Sequence, residues 1–413
     1  MANTDQEIAP FIEKSQQPQD LAIDIPEEDL EPAPECCIYK VPRRFREAKE
    51  NAYTPTLISI GPLHRGKTNL GRMESQKQRY YKKFCQRTSK KTLEEFVSFI
   101  QEHLNRICKC YQVQFVFRTE SEASKFTEMI LYDAVFIIEY FLRNFEREVN
   151  DFLFHREWLS VELQTDLMLL ENQLPFFLLE DLYNLAFATS DKPSFLHLAR
   201  LYFKVDEDQT LDQKGIKHFT DLIRRHQVRT HPSNLVEKTN NRYSATMLRA
   251  VGVRFKAVDD CLLNVKFEEG VLKIPSFRVE YETETVFRNL IAFEQCHYPS
   301  EAYFCGYIQL LDSLVDVAED VNLLIKMGII SHRMGSGAAV ANMINNLMVG
   351  VTSLCYYTIG EDLKQYYRDP LNQIGAKISH AVENPLKVAS IYFGIFTIIQ
   401  TIVAILDRVK PVK

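Results

Sequence analysis

The sequence predicts a mainly α-helical globular domain with a small β-hairpin element, followed by one C-terminal transmembrane helix. Three observations lead to this fold class. The 413 residues are 46% hydrophobic and 25% charged, which is typical of a globular protein. Apolar residues recur at helical spacing through most of the chain, and β patterns are rare. Near the C-terminus, residues 388–406 carry no charged side chain.

An acidic arm precedes a strongly basic segment. Residues 1–35 contain ten Asp and Glu against one Lys and are interrupted by five prolines, a composition that predicts disorder. Residues 40–91 contain fifteen Lys and Arg against three Glu. Two interpretations stay open: a solvated tail beside a solvated basic face, or an arm that folds back and masks a basic surface able to meet anionic lipid or a partner. The overall net charge of −6 gives no case for nucleic-acid binding.

Helical patterns fill most of residues 36–383, which we assign to one mostly helical domain. The Thr-Leu-Glu-Glu sequence at 92–95 has the spacing of a capping box and predicts a helix start. Pro175 is expected to break a longer apolar helix because it removes a backbone donor. The predicted helices are Asn69–Arg87 with a basic face, one from Thr92 to Ile107, Phe126–Phe145, Leu159–Phe187 with its break, Phe195–Phe203, Ile216–His226, Thr283–Cys296, Glu301–Lys326 and Ala338–Leu347.

The β signal is confined to one hairpin, apart from a short β-like run. Residues 261–267 and Val271–Ile274 are rich in β-favouring residues and flank a turn that contains Gly270. The β-like run is Thr56–Ile60, which ends at Gly61.

The apolar segment 388–406 is predicted to cross a membrane once. Nineteen helical residues would reach about 28 Å, close to the hydrocarbon thickness of about 30 Å. A buried terminal helix is the alternative. If the segment crosses the membrane, we expect the main domain on the cytosolic side, because the first 35 residues do not resemble a signal peptide. The short basic tail 407–413 would lie on the other side of the bilayer. The charges that flank the segment lean slightly towards the opposite orientation.

The sharpest apparent motif is Gly61 to Thr68, which fits the phosphate-binding pattern G-x-x-x-x-G-K-T. In such a loop backbone N–H groups hold phosphates, Lys67 reaches the terminal phosphate and Thr68 binds magnesium. Pro62 removes one of those donors, three bulky residues follow it, and no alternation of strands and helices comes after. We therefore prefer a basic turn ahead of a helix. A nucleotide site would require a strand directly before Gly61 inside a parallel sheet.

Three polar residues, Glu171, Asn172 and Gln173, interrupt an apolar stretch just before Pro175. They could line a pocket. We prefer a structural role, in which they satisfy backbone groups that the helix break leaves free.

The sequence assigns no catalytic, cofactor-binding or metal-binding residue. Glu294, Cys296 and His297 close another apolar helix, but a Cys and a His adjacent in sequence do not make a catalytic dyad. The ten His show no HExxH spacing. The nine Cys lack zinc-type CxxC pairs and indicate reduced thiols in a cytosol-facing domain.

Ten short motifs along the chain are similar to those of a known family. They are IYKVP at 38–42, YTPTLISIGPLHRG at 53–66, MESQK at 73–77, LMLLENQLPFF at 167–177, YSATML at 243–248, VGVRFK at 251–256, GVLKIP at 270–275, FRNLIAFEQC at 287–296, EDVNLL at 319–324 and GII at 328–330. Over about residues 38–406 the chain thereby resembles a plant family catalogued as "domain of unknown function 247". Two departures are Ala134, where members often carry Gly, and Thr68, which the corresponding turn often lacks.

The resemblance implies a plant membrane-anchored protein without an established activity or established ligand residues. Some grass members of that family are associated with pollen self-incompatibility, a role that shared motifs cannot transfer to this chain. We therefore expect a membrane-anchored, non-enzymatic recognition or signalling protein with an unknown protein partner and no cofactor. The alternatives are a nucleotide-binding protein that uses Gly61 to Thr68, and a purely structural membrane-associated protein.

Overall fold

The fold is given by a computed structural model that describes residues 32–148, 150–188, 190–206, 215–229, 235–237, 243–351, 355–357, 359–375, 393–394 and 396–402. Most of the described residues are helical, as the sequence predicts. Of the predicted acidic arm, residues 1–31 lie outside the described residues, as does the basic tail 407–413.

Fifteen helices are bounded in the described ranges. They are α1 Arg43–Ala48, α2 Gly71–Arg87, α3 Lys90–Glu102, α4 Leu104–Lys109, α5 Glu120–Glu146, α6 Glu157–Leu167, α7 Phe176–Phe187, α8 Phe195–Phe203, α9 Phe219–Val228, α10 Ala245–Ala250, α11 Thr283–His297, α12 Tyr303–Leu314, α13 Ala318–Lys326, α14 Gly337–Leu347 and α15 Ile359–Arg368. Two short 3₁₀ helices, Glu50–Tyr53 and Thr68–Leu70, lie at the two ends of the segment 54–67, and the second directly precedes α2.

The centre of the core is α5, which the sequence predicts over Phe126–Phe145. The helix begins earlier, at Glu120, because the Thr119 side chain accepts a hydrogen bond from the Glu122 N–H and caps it. Helices α2, α3, α7 and α8 pack around α5. The buried apolar side chains of α5 form the centre of the main hydrophobic cluster and contact the other helices there.

Other helix boundaries also differ from the prediction, and the single helix expected from Thr92 to Ile107 is two helices, α3 and α4. The capping box at Thr92 is wrong: Ser89 is the N-cap of α3, and its Oγ accepts the Thr92 N–H at 3.2 Å. The single helix expected over Glu301–Lys326 is two helices, α12 and α13. The Asp320 carboxylate accepts the N–H groups of Asp316 and Val317 and so caps a new helix start where the prediction continued the old one.

Seven strands form three small sheets in the described residues. They are β1 Leu235–Glu237, β2 Arg254–Val258, β3 Lys266–Glu268, β4 Val271–Pro275, β5 Phe277–Val279, β6 Ile330–His332 and β7 Cys355–Tyr357. The predicted hairpin is confirmed as β3 and β4, although β3 begins at Lys266 rather than at 261. The expectation that β structure is confined to this hairpin is wrong, because β2 joins β4 in parallel, β5 pairs with β6 in parallel and β1 pairs with β7.

The hairpin turn shows why a glycine is needed there. Glu269 and Gly270 both have positive φ, 51° and 73°, which is the backbone of a two-residue turn matched to strand twist. A Cβ on Gly270 would lie 2.8 Å from Tyr366 Oη of α15. The turn therefore requires Gly270 for its backbone conformation and for the close approach of α15.

The predicted transmembrane helix over 388–406 is wrong. No helix in the described part of the chain is both long and apolar enough to cross a membrane. Of the predicted segment, residues 393, 394 and 396–402 are described and helical, and the others lie outside the described residues.

Candidate functional site

The candidate phosphate loop is built differently from a nucleotide site. Thr56–Ile60, predicted as a β-like run, is not a strand. The strand that a phosphate loop requires before Gly61 is therefore missing from the described structure. Buried polar side chains hold this segment instead, and we call them the polar core. The polar core consists of Lys77, Asp133, Asp166, Glu171, Asn172 and Gln173.

The Asp166 carboxylate accepts the backbone N–H groups at the start of the segment Thr56–Ile60. Its Oδ1 accepts the Thr56 N–H at 3.0 Å, and its Oδ2 accepts the N–H groups of Leu57 and Ile58 at 2.7 and 2.8 Å. Burial raises the pKa of Asp166 to about 6, although the three backbone donors favour its ionised form. One carboxylate thus takes up three N–H groups that would otherwise pair in a sheet.

Asn172 connects the same segment to the helix break. Its Oδ1 accepts the Ile60 N–H at 2.7 Å, and its Nδ2 donates to the carbonyls of Ile58 and Asp166 at 3.0 and 2.9 Å. The Asp166 carbonyl lies in the last turn of α6, where intrahelical partners run out. The role that the sequence predicts for Asn172, satisfying backbone freed at the break, is present in the structure.

Gln173 closes the end of α6 in the same way. Its Nε2 donates to the carbonyls of Leu167 and Leu169, each at 2.7 Å. Its Oε1 accepts the Phe219 N–H at 3.0 Å, at the first residue of α9. Gln173 therefore joins the C-terminus of one helix to the N-terminus of another.

Glu171 faces the N-terminal segment rather than the helix break. Its Oε1 accepts the Val41 N–H and Arg46 Nη2, each at 2.6 Å, and its Oε2 lies 3.1 Å from His64 Nε2. Burial alone would raise the pKa of Glu171, but the hydrogen bonds from His64, Arg46 and Val41 outweigh it and the pKa lies below its usual value. The middle of the predicted loop is thus tied down through His64.

Gly61, the first residue of the predicted loop, is hydrogen-bonded to the polar core. Its N–H donates to Asp133 Oδ2 at 2.8 Å, and Lys77 Nζ lies 2.6 Å from Asp133 Oδ1. Gly61 has φ of 71°, and an added Cβ would come within 2.6 Å of the Gln173 carbonyl oxygen. The Asp133 carboxylate therefore takes the Gly61 N–H that would face a phosphate in a nucleotide site, and its negative charge would repel the phosphate.

The second sequence candidate, at the end of α11, is a structural ion pair. Glu294 accepts Arg224 Nε at 2.8 Å and the N–H groups of Phe304 and Cys305 at 3.0 and 2.9 Å, so it caps α12. Burial raises the pKa of the neighbouring Cys296 thiol to about 11, which disfavours the nucleophilic thiolate.

His297, the third member of that set, has its own partner. Its Nδ1 lies 2.9 Å from Tyr39 Oη, and its ring stacks on Phe293. Within the described ranges, no group of three His, Cys, Asp or Glu side chains is placed to hold a metal ion.

An open cleft of about 950 Å³ lies between α6, the end of α9, the loop 259–262 that follows β2, strand β5 and the start of α11. Acidic and basic side chains are interleaved along its walls, among them Glu157, Lys204, Arg229, Asp260, Arg278 and Arg333. Because neither sign of charge dominates, the cleft indicates no single ligand chemistry.

The outer side of α2 is the most strongly charged feature near the predicted loop. Arg72, Arg79, Lys82 and Lys83 are exposed on the side that faces away from α5. None of the four forms an ion pair with an acid in the part of the chain that the structure describes. We call these four residues the α2 basic face. From Arg72 to Lys83 it extends over about 16 Å.

Sequence reasoning identified the basic composition of this helix but not most of its surroundings. The partners of the polar core lie up to 130 residues away in sequence, as for Val41 and Glu171. The pairing of Lys77 with Asp133 and of Arg224 with Glu294 has no local sequence signal, because neither partner's spacing indicates the other.

The comparisons with known proteins agree with the motifs. The family model of a plant protein of unknown function, DUF247, matches residues 38–400. The chain is 28% identical to UPF0481 protein At3g47200 of Arabidopsis thaliana, over 92% of this chain and 88% of that protein. It is 24% identical to a second Arabidopsis thaliana protein, UPF0481 protein At3g02645, over 84% of this chain and 85% of that protein. No solved structure matches significantly. Since the family model covers most of the chain, the protein belongs to the plant family of unknown function DUF247.

Proposed function

We propose that the protein is a non-enzymatic recognition protein and that its α2 basic face binds an acidic segment of a partner protein. The observation that carries this proposal is the exposure of four cations along one helix without a described acidic partner. Four like charges within about 16 Å repel each other, so a complementary surface that neutralises them lowers the free energy. Such a face steers an oppositely charged partner towards it.

The residues between these cations favour a protein partner. Ser75, Gln78 and Gln86 are the other exposed residues on or beside this face, and their side chains can donate to and accept from a peptide backbone. The exposed large apolar side chains of the described chain lie on other elements. The face therefore offers neither aromatic rings for stacking on bases nor apolar side chains for insertion into a bilayer.

The buried ionisable groups support the non-enzymatic part of the proposal. Asp166 and Glu294 each accept backbone N–H groups, and Asp133 accepts one N–H and faces Lys77. A general base needs a free lone pair directed at a substrate. These carboxylates use theirs to hold the backbone together.

The proposal is tested with the full chain and a fluorescein-labelled polyglutamate peptide, whose binding is followed by fluorescence anisotropy. The test variant changes Arg72, Arg79, Lys82 and Lys83 to Gln. At about 0.3–0.5 kcal/mol for each exposed charge pair, the variant should bind about 7- to 30-fold more weakly. Raising the salt concentration should weaken binding to the unmodified chain and narrow the difference between the two proteins.

A matched control changes two other exposed Arg and two other exposed Lys to Gln, at Arg249, Arg254, Lys256 and Lys266. It removes the same net charge from α10 and the β2–β4 region and should bind within twofold of the unmodified chain. Equal weakening in both variants would show only a whole-molecule charge effect and would refute the proposal. Tighter binding of the α2 basic face to phosphatidylserine vesicles or to duplex DNA than to the peptide would replace the protein partner by lipid or nucleic acid.

A further inference from the structure

Two cysteines that are 73 positions apart in sequence are neighbours in the structure. The N–H groups of Cys37 and Ile38 both donate to the Cys110 carbonyl, at 2.9 and 2.8 Å, and the Gln112 N–H donates back to the Ile38 carbonyl at 2.9 Å. Ile38 and Tyr111 form a parallel β-bridge. Cys37 and Cys110 each precede one member of this bridge, so they face each other across it.

This arrangement brings the backbones of the two cysteines within the range that a disulfide can span. Adjacent strands lie about 4.8 Å apart, and a disulfide joins residues with Cα atoms about 4.4–6.8 Å apart. The two thiols are near enough to perturb each other's pKa, and Cys110 Sγ also donates to the Arg106 carbonyl at 3.3 Å. Both cysteines are buried, at 2% and 5% exposure, and both are free thiols.

The environment divides the two thiols into a nucleophile and a proton donor. The hydrogen bond from Cys37 lowers the pKa of the Cys110 thiol, and the cations Arg106 and Lys217 act in the same direction. The same hydrogen bond raises the pKa of Cys37. The thiolate form is therefore favoured on Cys110, the residue at the end of α4.

We propose that Cys37 and Cys110 are a redox site that forms a reversible intramolecular disulfide when a hydroperoxide oxidises the protein. The Cys110 thiolate attacks the terminal oxygen of the hydroperoxide, the O–O bond breaks, and the released alkoxide or hydroxide takes up the proton that Cys110 lost. Cys110 is then a sulfenic acid. The Cys37 sulfur attacks the Cys110 sulfur, the S–S bond forms, the S–O bond breaks, and water leaves with the Cys37 proton. Two thiols lose two electrons and two protons, and the hydroperoxide is reduced to an alcohol, or water, plus water.

The bond would cross-link the entry of the domain to α4. The loop that it closes, from 37 to 110, contains Thr56–Gly61, α2 and α3. Tyr111, next to Cys110, donates its Oη to the Gln173 carbonyl at 2.9 Å. The cross-link would thus fix the N-terminal segment directly beside the polar core and restrict the unfolded chain.

The test uses the reduced full chain treated with hydrogen peroxide, blocked with N-ethylmaleimide under denaturing conditions, and mapped by mass spectrometry without reduction. The expected product is a peptide pair linked through Cys37 and Cys110 that dithiothreitol separates. The oxidised chain should also unfold at a higher urea concentration than the reduced chain, and dithiothreitol should reverse the shift. Cys37→Ser and Cys110→Ser should each lose the linked pair, whereas Cys85→Ser, a change on α2, should retain it.

The unmodified chain alone can refute the proposal, so the test does not depend on the folding of a variant. If Cys37 and Cys110 remain fully alkylated at a peroxide dose that oxidises the partly exposed Cys85, the pair is not a redox site. A dominant link from Cys110 to Cys36 or Cys108 would equally overturn the assignment.

Discussion

Replacing Asn172 by Leu removes a side chain that makes three hydrogen bonds in the polar core. The variant leaves the buried Ile60 N–H and the buried Ile58 carbonyl without a partner, and it takes one of its donors from the Asp166 carbonyl, which keeps the Leu169 N–H. Each unpaired buried group costs about 1–3 kcal/mol. Burial of the larger apolar side chain returns about 2 kcal/mol. We expect the free energy of unfolding to fall by about 2 kcal/mol.

The measurement is urea unfolding at neutral pH, followed by circular dichroism at 222 nm. The midpoint should fall while the slope with urea stays constant, because the surface exposed on unfolding does not change. Asn69→Leu is the matched control, since Asn69 is exposed, and it should change the free energy of unfolding by less than about 0.5 kcal/mol. A loss below about 1 kcal/mol for Asn172→Leu would refute the structural role.

A second variant at the same position separates hydrogen bonding from shape. Asn172→Asp keeps the acceptor for the Ile60 N–H but places a carboxylate oxygen where Nδ2 donated to two carbonyls. We expect it to be less stable than the unmodified chain at neutral pH and to lose less on acidification, because a protonated carboxyl can donate one of those bonds. Unchanged stability together with lost polyglutamate binding would instead favour a pocket at Asn172.

Three further predictions concern charge. Glu294→Gln should lower the free energy of unfolding by about 3 kcal/mol, because the Arg224 guanidinium stays buried without its counter-charge; Glu268→Gln, at an exposed pair, should cost less than about 0.5 kcal/mol in the same urea titration. Burial lowers the pKa of His218 to about 4. The unfolded chain therefore takes up this proton first as the pH falls, and up to about 3 kcal/mol of stability is lost between about pH 6.5 and pH 4. His218→Asn should lack that loss, so its stability deficit should narrow as the pH falls; a deficit that stays constant contradicts this. Isothermal titration of the full chain with ATP or GTP and magnesium should show no specific binding, and micromolar binding that Lys67→Ala abolishes would reverse that conclusion.

Local patterns predicted the helices well because their causes are local. The apolar stripe of α5 and the proline before α7 act within a few turns; α7 ends at its predicted residue, whereas α5 begins at Glu120 rather than at the predicted Phe126. The β-like run at Thr56–Ile60 failed because its N–H groups are taken by Asp166 and Asn172, more than 100 residues later in sequence. The apolar composition of that run does not reveal what its backbone binds.

In the candidate sites, too, contacts with a local cause were predicted and contacts set by tertiary packing were not. The sequence correctly indicated that Asn172 and Gln173 serve the helix break, since a proline and polar side chains lie side by side there. It could not indicate that Glu171 turns to Val41 and Arg46, because that contact depends on how the N-terminal segment crosses the core. The β2–β4 pairing was missed for a related reason: a parallel partner is set by tertiary packing rather than by a turn.

The way in which side chains hold Thr56–Gly61 has a consequence for how the chain folds. An ordinary strand can pair with a hairpin neighbour early, because the loop to be closed is short. Here the first contacts close loops of 72 to 112 residues, to Asp133, Asp166 and Asn172. Contacts of such high sequence separation slow folding. The segment should therefore be ordered late, after α5 and α6 have met, and a fragment that ends before residue 166 would leave its backbone donors bound to water.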